Sequence, residues 1–224
     1  MLQTRNKLIE GLAGIDELLH PYVGIRVLQP GDLVFAAGQE ITHVILVESG
    51  FASVTWPDAK NGVDVAMVGR EGILGAGASY GMPMALFSVV ARSPLLLHQV
   101  PALAFDRALS ASPELRTRVF GFASALLRQI AQSAFANARL TVEQRVARWL
   151  AMGVERLDSR TVQATHDELA TAVGCRRAGV TVAMHCLEAN KLVRSMRGKV
   201  VVLDQDGLAR FASGQVQTQT SDFA

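Results

Sequence analysis

Two cysteines, Cys175 and Cys186, are all that the 224 residues contain. They are too few and too close together for a disulfide framework. A charge excess of one sign is missing as well. With 22 Lys+Arg against 20 Asp+Glu, the formal net charge is only +2, so composition alone does not announce nucleic acid. No apolar run is long enough to span a bilayer, and residues 1–10 mix polar and charged side chains without a hydrophobic signal segment. These absences predict a soluble, cytoplasmic protein with no membrane partner. Gly-x-Ser-x-Gly, P-loop and His-Glu-x-x-His motifs are all absent, which leaves an enzyme reading without support. What the chain does have is bulk for a core: half its residues are hydrophobic and 19% are charged, in a length that suits two small domains or one large one.

The texture changes along the chain. From Lys7 to Leu19, apolar residues at Leu8, Ile9, Leu12, Ile15, Leu18 and Leu19 keep helical spacing and predict a helix. From Val23 to Val100, short runs (Val23–Leu28, Val44–Val47, Ala52–Trp56, Val63–Val68, Leu95–Val100) alternate with Gly, Pro and Asp. That pattern predicts a compact β-roll or barrel. At Ser112-Pro113-Glu114 a helix start is written in three consecutive residues: a capping serine, a proline in the first turn and an acid at the positive end of the dipole. The helix should run to about Ala138. Within it Leu115, Val119, Phe122 and Leu126 are spaced four, three and four apart, a heptad seam that Gln129 and Ser133 continue with polar side chains. On spacing alone, a partner helix and the chain's own β-domain are equally good cover for that stripe. A further helix is expected over Val142–Arg156, with Val146, Trp149, Leu150 and Val154 on one face. The domain boundary falls near Arg139, and residues 215–224 are expected to be disordered.

The segment that carries function begins at Thr165-His166-Asp167-Glu168, a capping box in which the threonine hydroxyl and the glutamate each satisfy one backbone amide of the first turn. Leu169, Ala170 and Val173 make an apolar face, Gly174 allows a tight turn, and Val180, Ala183, Met184 and Leu187 mark a second helix that opens on Arg176 and Arg177. Two short helices joined through glycine, with arginines at the start of the second, fit a helix-turn-helix. Arginine at that position can donate two bonds to guanine O6 and N7. The stretch Val193–Val202 then reads as a β-hairpin with a basic tip, a wing whose cations would meet phosphate. From Thr165 to Val200, Arg176, Arg177, Lys191, Arg194, Arg197 and Lys199 outnumber Asp167, Glu168 and Glu188.

Two stretches resemble a known family. Pro30-Gly31-Asp32-Leu33-Val34-Phe35-Ala36-Ala37-Gly38-Gln39-Glu40, followed by Val44-Ile45-Leu46-Val47-Glu48-Ser49-Gly50, is similar to the cyclic-nucleotide-binding β-roll signature. Glu168-Leu169-Ala170 through Gly174-Cys175-Arg176-Arg177 and Val180 resembles the helix-turn-helix of Crp/Fnr transcription regulators. The resemblance implies an α+β chain: a jelly-roll-like N-terminal β-roll effector domain (residues 1–111), a long central dimerisation helix (112–138) and a C-terminal winged helix-turn-helix (139–224). It implies a homodimer joined through Leu115, Val119, Phe122 and Leu126, a near-palindromic double-stranded operator, a small-molecule effector and RNA polymerase as a partner. The DNA-facing positions it implies are Thr165, His166, Arg176, Arg177, Gly179 and Thr181, with Arg194, Arg197 and Lys199 on the wing. Arg177 matches a guanine-reading position. The acid and the later arginine of well-known members are Ala178 and Val182 here, so the preferred DNA sequence should differ.

The effector pocket departs from the cyclic-AMP pattern. The phosphate-binding loop reads Gly75-Ala76-Gly77 without the ribose-contacting acid, and the Arg-Ser position falls near Leu86-Phe87-Ser88 without the arginine. Together with Met84 these residues outline a candidate pocket for a signal other than cyclic AMP. An effector-independent regulator with a vestigial pocket, or a ligand-binding module that does not act on DNA, are the alternatives. Iron–sulfur chemistry is excluded by the lack of any cysteine before Cys175. His20, His43 and His98 read as ordinary lone histidines rather than haem ligands, and Cys175, His185 and Cys186 match no zinc spacing. No metal or cofactor is expected, and a redox role for Cys175 or Cys186 stays open.

Overall fold

The computed structural model describes residues 4–57 and 62–214; the expectation for residues 215–224 lies outside them. Its contacts divide the chain into two compact units, Met1–Phe135 and Ala136–Ala224.

The first unit contains the β-roll. Its strands are β1 (Gly24–Leu28), β2 (Leu33–Phe35), β3 (His43–Ser49), β4 (Ala52–Trp56), β5 (Val63–Val68), β6 (Ile73–Leu74), β7 (Ser88–Ala91) and β8 (Leu95–Pro101). They form two antiparallel four-stranded sheets, ordered β1-β8-β3-β6 and β2-β7-β4-β5. β3 shows why the layers stack as they do. It is an interior strand, and Val44, Ile45, Leu46 and Val47 are all 3% exposed or less. Successive side chains of a strand point to opposite faces. Ile45 and Val47 therefore meet Val54, Val68 and Val89 of the second sheet. Val44 and Leu46 face the other way, onto Phe105, Leu109, Leu115 and Val119. Those residues belong to α2 (Ala102–Ala111) and α3 (Pro113–Arg139). The first sheet is thus the middle layer, and its continuous apolar run is the signature of a strand buried on both sides.

The helix expected over Lys7–Leu19 shrinks to α1 (Ile15–Leu19). Gly11 and Gly14 both take φ 73, a left-handed conformation that ends helical continuity. Leu8, Ile9, Leu12 and Ile15 are nonetheless buried on the face of the middle sheet. Asn6 anchors this segment, its amide donating to Val47 O at 3.0 Å and Gly72 O at 2.8 Å.

α3 starts as its residues dictate, with the Ser112 hydroxyl accepting from Leu115 N at 3.2 Å. Its heptad stripe packs, at least in part, on its own unit. Leu115 and Val119 are 0% and 3% exposed, buried in their own unit's core, and Phe122, Leu126 and Ile130 pack partly buried against the core between the sheets. Gln129 continues the stripe for a reason: its side-chain amide donates to Met67 O and accepts from Met67 N, pairing with the edge strand β5 as another strand would. Leu115 and Val119 of the seam are thus buried in the β-roll unit, and Phe122 and Leu126 pack half-buried against it.

The second unit comprises α4 (Val142–Val154), β9 (Thr161–Gln163), α5 (His166–Val173), α6 (Arg177–Ala189), β10 (Val193–Met196), β11 (Lys199–Val202) and α7 (Gln205–Ala212). α4 starts at a Thr141/Gln144 capping box and packs on α5, α6 and α7. Val146, Leu150, Leu169, Val180, Ala183, Met184, Leu187 and Leu208 are all fully buried. The three strands form a sheet ordered β10-β11-β9 behind the helices. The whole is an α+β chain: β-roll, long helix, winged helix-turn-helix. Among the described residues no helix is long and apolar enough to cross a membrane.

Leu115→Ala should cost about 2–5 kcal/mol of stability, the range for truncating a buried leucine, and Val119→Asp should unfold the first unit. Urea denaturation followed by circular dichroism checks both; a Leu115→Ala protein as stable as the parent would contradict the burial.

Candidate nucleic-acid interface and effector cavity

The helix-turn-helix is locked by local bonds. At the start of α5 the Thr165 hydroxyl accepts from Glu168 N at 3.2 Å, and Glu168 accepts from Thr165 N at 2.7 Å and from the Thr165 hydroxyl at 2.8 Å. Both polar groups of Thr165 that could reach a phosphate are spent on the cap, so its part is to place the helix. At the other end Gly174 takes φ 65, ψ 47, the left-handed cap that an L-side chain resists. Arg145 from α4 donates to Val173 O at 3.1 Å, satisfying a carbonyl that the helix end leaves open.

The start of α6, the start of α5 and the wing surround a concave groove of about 350 Å³. Thr165, His166, Asp167, Arg177, Lys199 and Met196 line it. Arg177 is 69% exposed, and its Nε lies 3.4 Å from Asp167 Oδ1. A contact through Nε leaves the terminal guanidinium nitrogens to donate elsewhere. Thr181 sits one turn further on; its hydroxyl lies 3.2 Å from His166 Nδ1 and donates to Arg177 O at 3.3 Å. His166 and Thr181 thereby cross-link the two helices beside the arginine. Arg176 is exposed at the cap of α6 with no side-chain capping bond. Gly179 faces inward: a Cβ built there would lie 3.6 Å from Val142 Cγ1 and 3.9 Å from Cys175 Sγ. Arg194, Arg197 and Lys199 are exposed on the wing, whose tip turns at Gly198.

Two residues that carry the arrangement are not marked by the sequence. Asp167 reads there only as a charge, yet it is the acid on Arg177. Glu188, near the end of α6, accepts from Ser195 N in β10 at 2.6 Å and so ties the wing to α6. The i, i+7 spacing across a turn into a strand gives no periodic signal. Burial pushes the thiols of both Cys175 and Cys186 up, the opposite of what a reactive thiolate needs. No group of three or more potential metal ligands gathers among the described residues.

In the first unit, a second cavity of about 350 Å³ opens between the β-roll and α3. Gly75, Ala76, Gly77, Met84, Leu86 and Phe87 line it together, joined by Phe35, Tyr80, Met82, Phe122 and Leu126. Phe122 forms part of the wall because Gly72 admits it: a Cβ there would lie 2.1 Å from the Phe122 ring. Ser88 is not among the lining residues; its hydroxyl accepts from Ala37 N at 3.0 Å. Burial raises the Tyr80 phenol above its usual range, with Arg116 pulling the other way, so its hydroxyl is neutral near pH 7.

Comparisons with known proteins find a domain match in each unit. Residues 25–112 match the cyclic nucleotide-binding domain and residues 144–211 the Crp-like helix-turn-helix domain. Among solved structures, a CRP/FNR-family transcriptional regulator of Thermus thermophilus is 22% identical, covering 86% of this chain and 100% of its own, with a TM-score of 0.69. The c-di-GMP-responsive global regulator CLP of Xanthomonas campestris is 20% identical over 85% of this chain and 99% of its own, TM-score 0.69. FixK2 of Bradyrhizobium japonicum is 14% identical over 84% and 96%, TM-score 0.69. At these identities the likeness is one of fold. A search of curated proteins finds no significant match.

The Ser195 amide holds the Glu188 carboxyl below its ordinary value of 4.5, outweighing the upward push of burial. A depressed carboxylate stabilises above its unfolded pKa and loses that contribution as pH falls through the folded one. Glu188→Gln should therefore reduce hydrogen-exchange protection of the Ser195 amide at neutral pH, and the difference from the parent should shrink as pH falls below the ordinary carboxylate value. Equal protection at pH 7 would remove Glu188 from this role.

Proposed function

We propose that this chain, a Crp/Fnr-like transcription regulator with a cyclic nucleotide-binding domain ahead of a Crp-like helix-turn-helix, binds a near-palindromic DNA operator as a homodimer. Its β-roll senses a small-molecule signal, and RNA polymerase is the protein partner such a regulator would address. The family is one of regulators rather than enzymes. The observation that carries the reading is the groove of the second unit, where Arg177 at the start of α6 and Lys199 on the wing border one concave face. In this arrangement α6 enters the major groove, Arg177 donates to guanine, and Arg176, Arg194, Arg197 and Lys199 meet phosphates. A ligand-binding module that does not act on DNA would have no use for a cationic wing.

Beside the seam of Leu115, Val119, Phe122 and Leu126, the dimer reading extends to a second face of α3. With Leu115, Val119 and Phe122 turned inward, an outward stripe is left: Phe120, Ser124, Leu127, Ala131 and Ala134, spaced four, three, four and three apart. Phe120 is 53% exposed and Leu127 68%. Large apolar side chains at heptad spacing, separated by small residues, suit a close two-fold helix pair.

Selection of bound DNA from a random pool should return a two-fold symmetric sequence with half-sites about one helical turn apart. Arg177→Ala should lose about 1–3 kcal/mol and relax preference at a single base pair per half-site, whereas Lys199→Ala should weaken all sequences alike and flatten the salt dependence. An unchanged base preference in Arg177→Ala would refute its assignment. Leu127→Asp, on an exposed site, should yield folded monomers with weak operator binding; sedimentation of the parent as a monomer at micromolar concentration would overturn the dimer.

A further inference from the structure

We infer that the cavity of the first unit takes an uncharged, largely apolar small molecule and rejects anionic cyclic nucleotides. The inference rests on the regulator reading for its consequence, a change in DNA affinity, but its chemistry stands on the cavity alone.

The walls come first. Phe35, Met82, Met84, Phe87, Phe122 and Leu126 surround the space, and among the described residues no charged side chain lines it. A charge moved from water into such surroundings needs a partner there. Tyr80 offers one neutral hydroxyl, enough to orient a single polar group but not to balance a phosphate.

The nearby polar groups are committed elsewhere. Arg92, the nearest cation downstream of the cavity strand, puts Nη2 2.6 Å from Asp64 Oδ1, with side chains 13% and 3% exposed. The same carboxylate accepts from the hydroxyls of Ser53 at 2.6 Å and Thr55 at 3.0 Å. Swinging Arg92 toward the cavity would strand a buried carboxylate, so the pair is closed. Ser88 spends its hydroxyl on Ala37 N. In the turn after β6, Ala78 N donates to Gly75 O at 3.1 Å and Met82 N to Gly77 O at 2.9 Å, so these two amides are satisfied within the loop.

The mouth points to the same chemistry. Met82, Met84 and Leu86 are 52%, 50% and 59% exposed, three large apolar side chains at one opening. An apolar guest removes them from water, and thioethers beside phenyl rings suit an aromatic one.

The test uses the full chain and the neutral fluorophore N-phenyl-1-naphthylamine, with cyclic AMP and cyclic GMP as competitors. Fluorescence should rise saturably and resist both nucleotides. Met84→Glu and Leu86→Glu, at half-exposed sites that tolerate charge, should each weaken the probe at least about tenfold while circular dichroism stays unchanged. Ile25→Glu, on exposed strand β1 away from the cavity, should leave probe binding intact. Probe binding untouched by both acidic variants, or displacement by micromolar cyclic nucleotide, overturns the inference. Operator binding is followed separately by anisotropy: its absence beside intact, Leu86-dependent probe binding refutes the regulator reading and leaves the ligand chemistry standing.

Discussion

The packing of one face of α3 onto the β-roll is the constraint from which the first unit's other properties follow. Leu115 and Val119 close the core beneath the middle sheet, Phe122 and Leu126 wall the cavity, and Gln129 pairs with the edge of β5. Each step along that face meets a different layer of the same domain. On the same helix Phe120 and Leu127 stand exposed. The same helix therefore touches the cavity through Val119, Phe122 and Leu126 and presents a heptad stripe outward, with Phe120 lining the cavity as well.

In the second unit precision comes from short-range bonds rather than from size. Capping boxes at Thr141 and Thr165, the left-handed Gly174 and the Arg145 bond to Val173 O fix the ends of α4 and α5. Glu188 fixes the wing to α6, and His166 with Thr181 fixes α5 to α6. Base reading requires that an arginine arrive in a groove with its neighbours already in register, so rigidity at this level is a functional property. Asp167 beside Arg177 adds orientation to that exposed side chain.

The cavity's character follows from the closure of the polar groups around it. An arginine and a serine lie within a few residues of its lining strand, and both are bound into the fold: Arg92 by Asp64, Ser88 by the Ala37 amide. What is left facing the space is methionine, leucine and phenylalanine.

Local information was enough for much of this. The strands at Ala52–Trp56 and Val63–Val68, the serine start of α3, the capping box at Thr165 and the apolar face of α6 all follow from residue type and spacing within a few positions. The short strands β2, β6, β7 and β9 escaped because two to four residues carry no period. α2 escaped because it is a run of alanines and leucines that any buried element could use. Periodicity also named a stripe on α3 without saying what covers it. That choice depends on residues distant in sequence, in β3, β5 and β6, which only the folded chain brings against Leu115, Phe122 and Gln129. The pairing of Asp167 with Arg177, of Glu188 with Ser195 and of Arg92 with Asp64 was likewise decided by tertiary structure. A charge in a sequence has a sign and an address, but its partner is whichever group the packing places within reach.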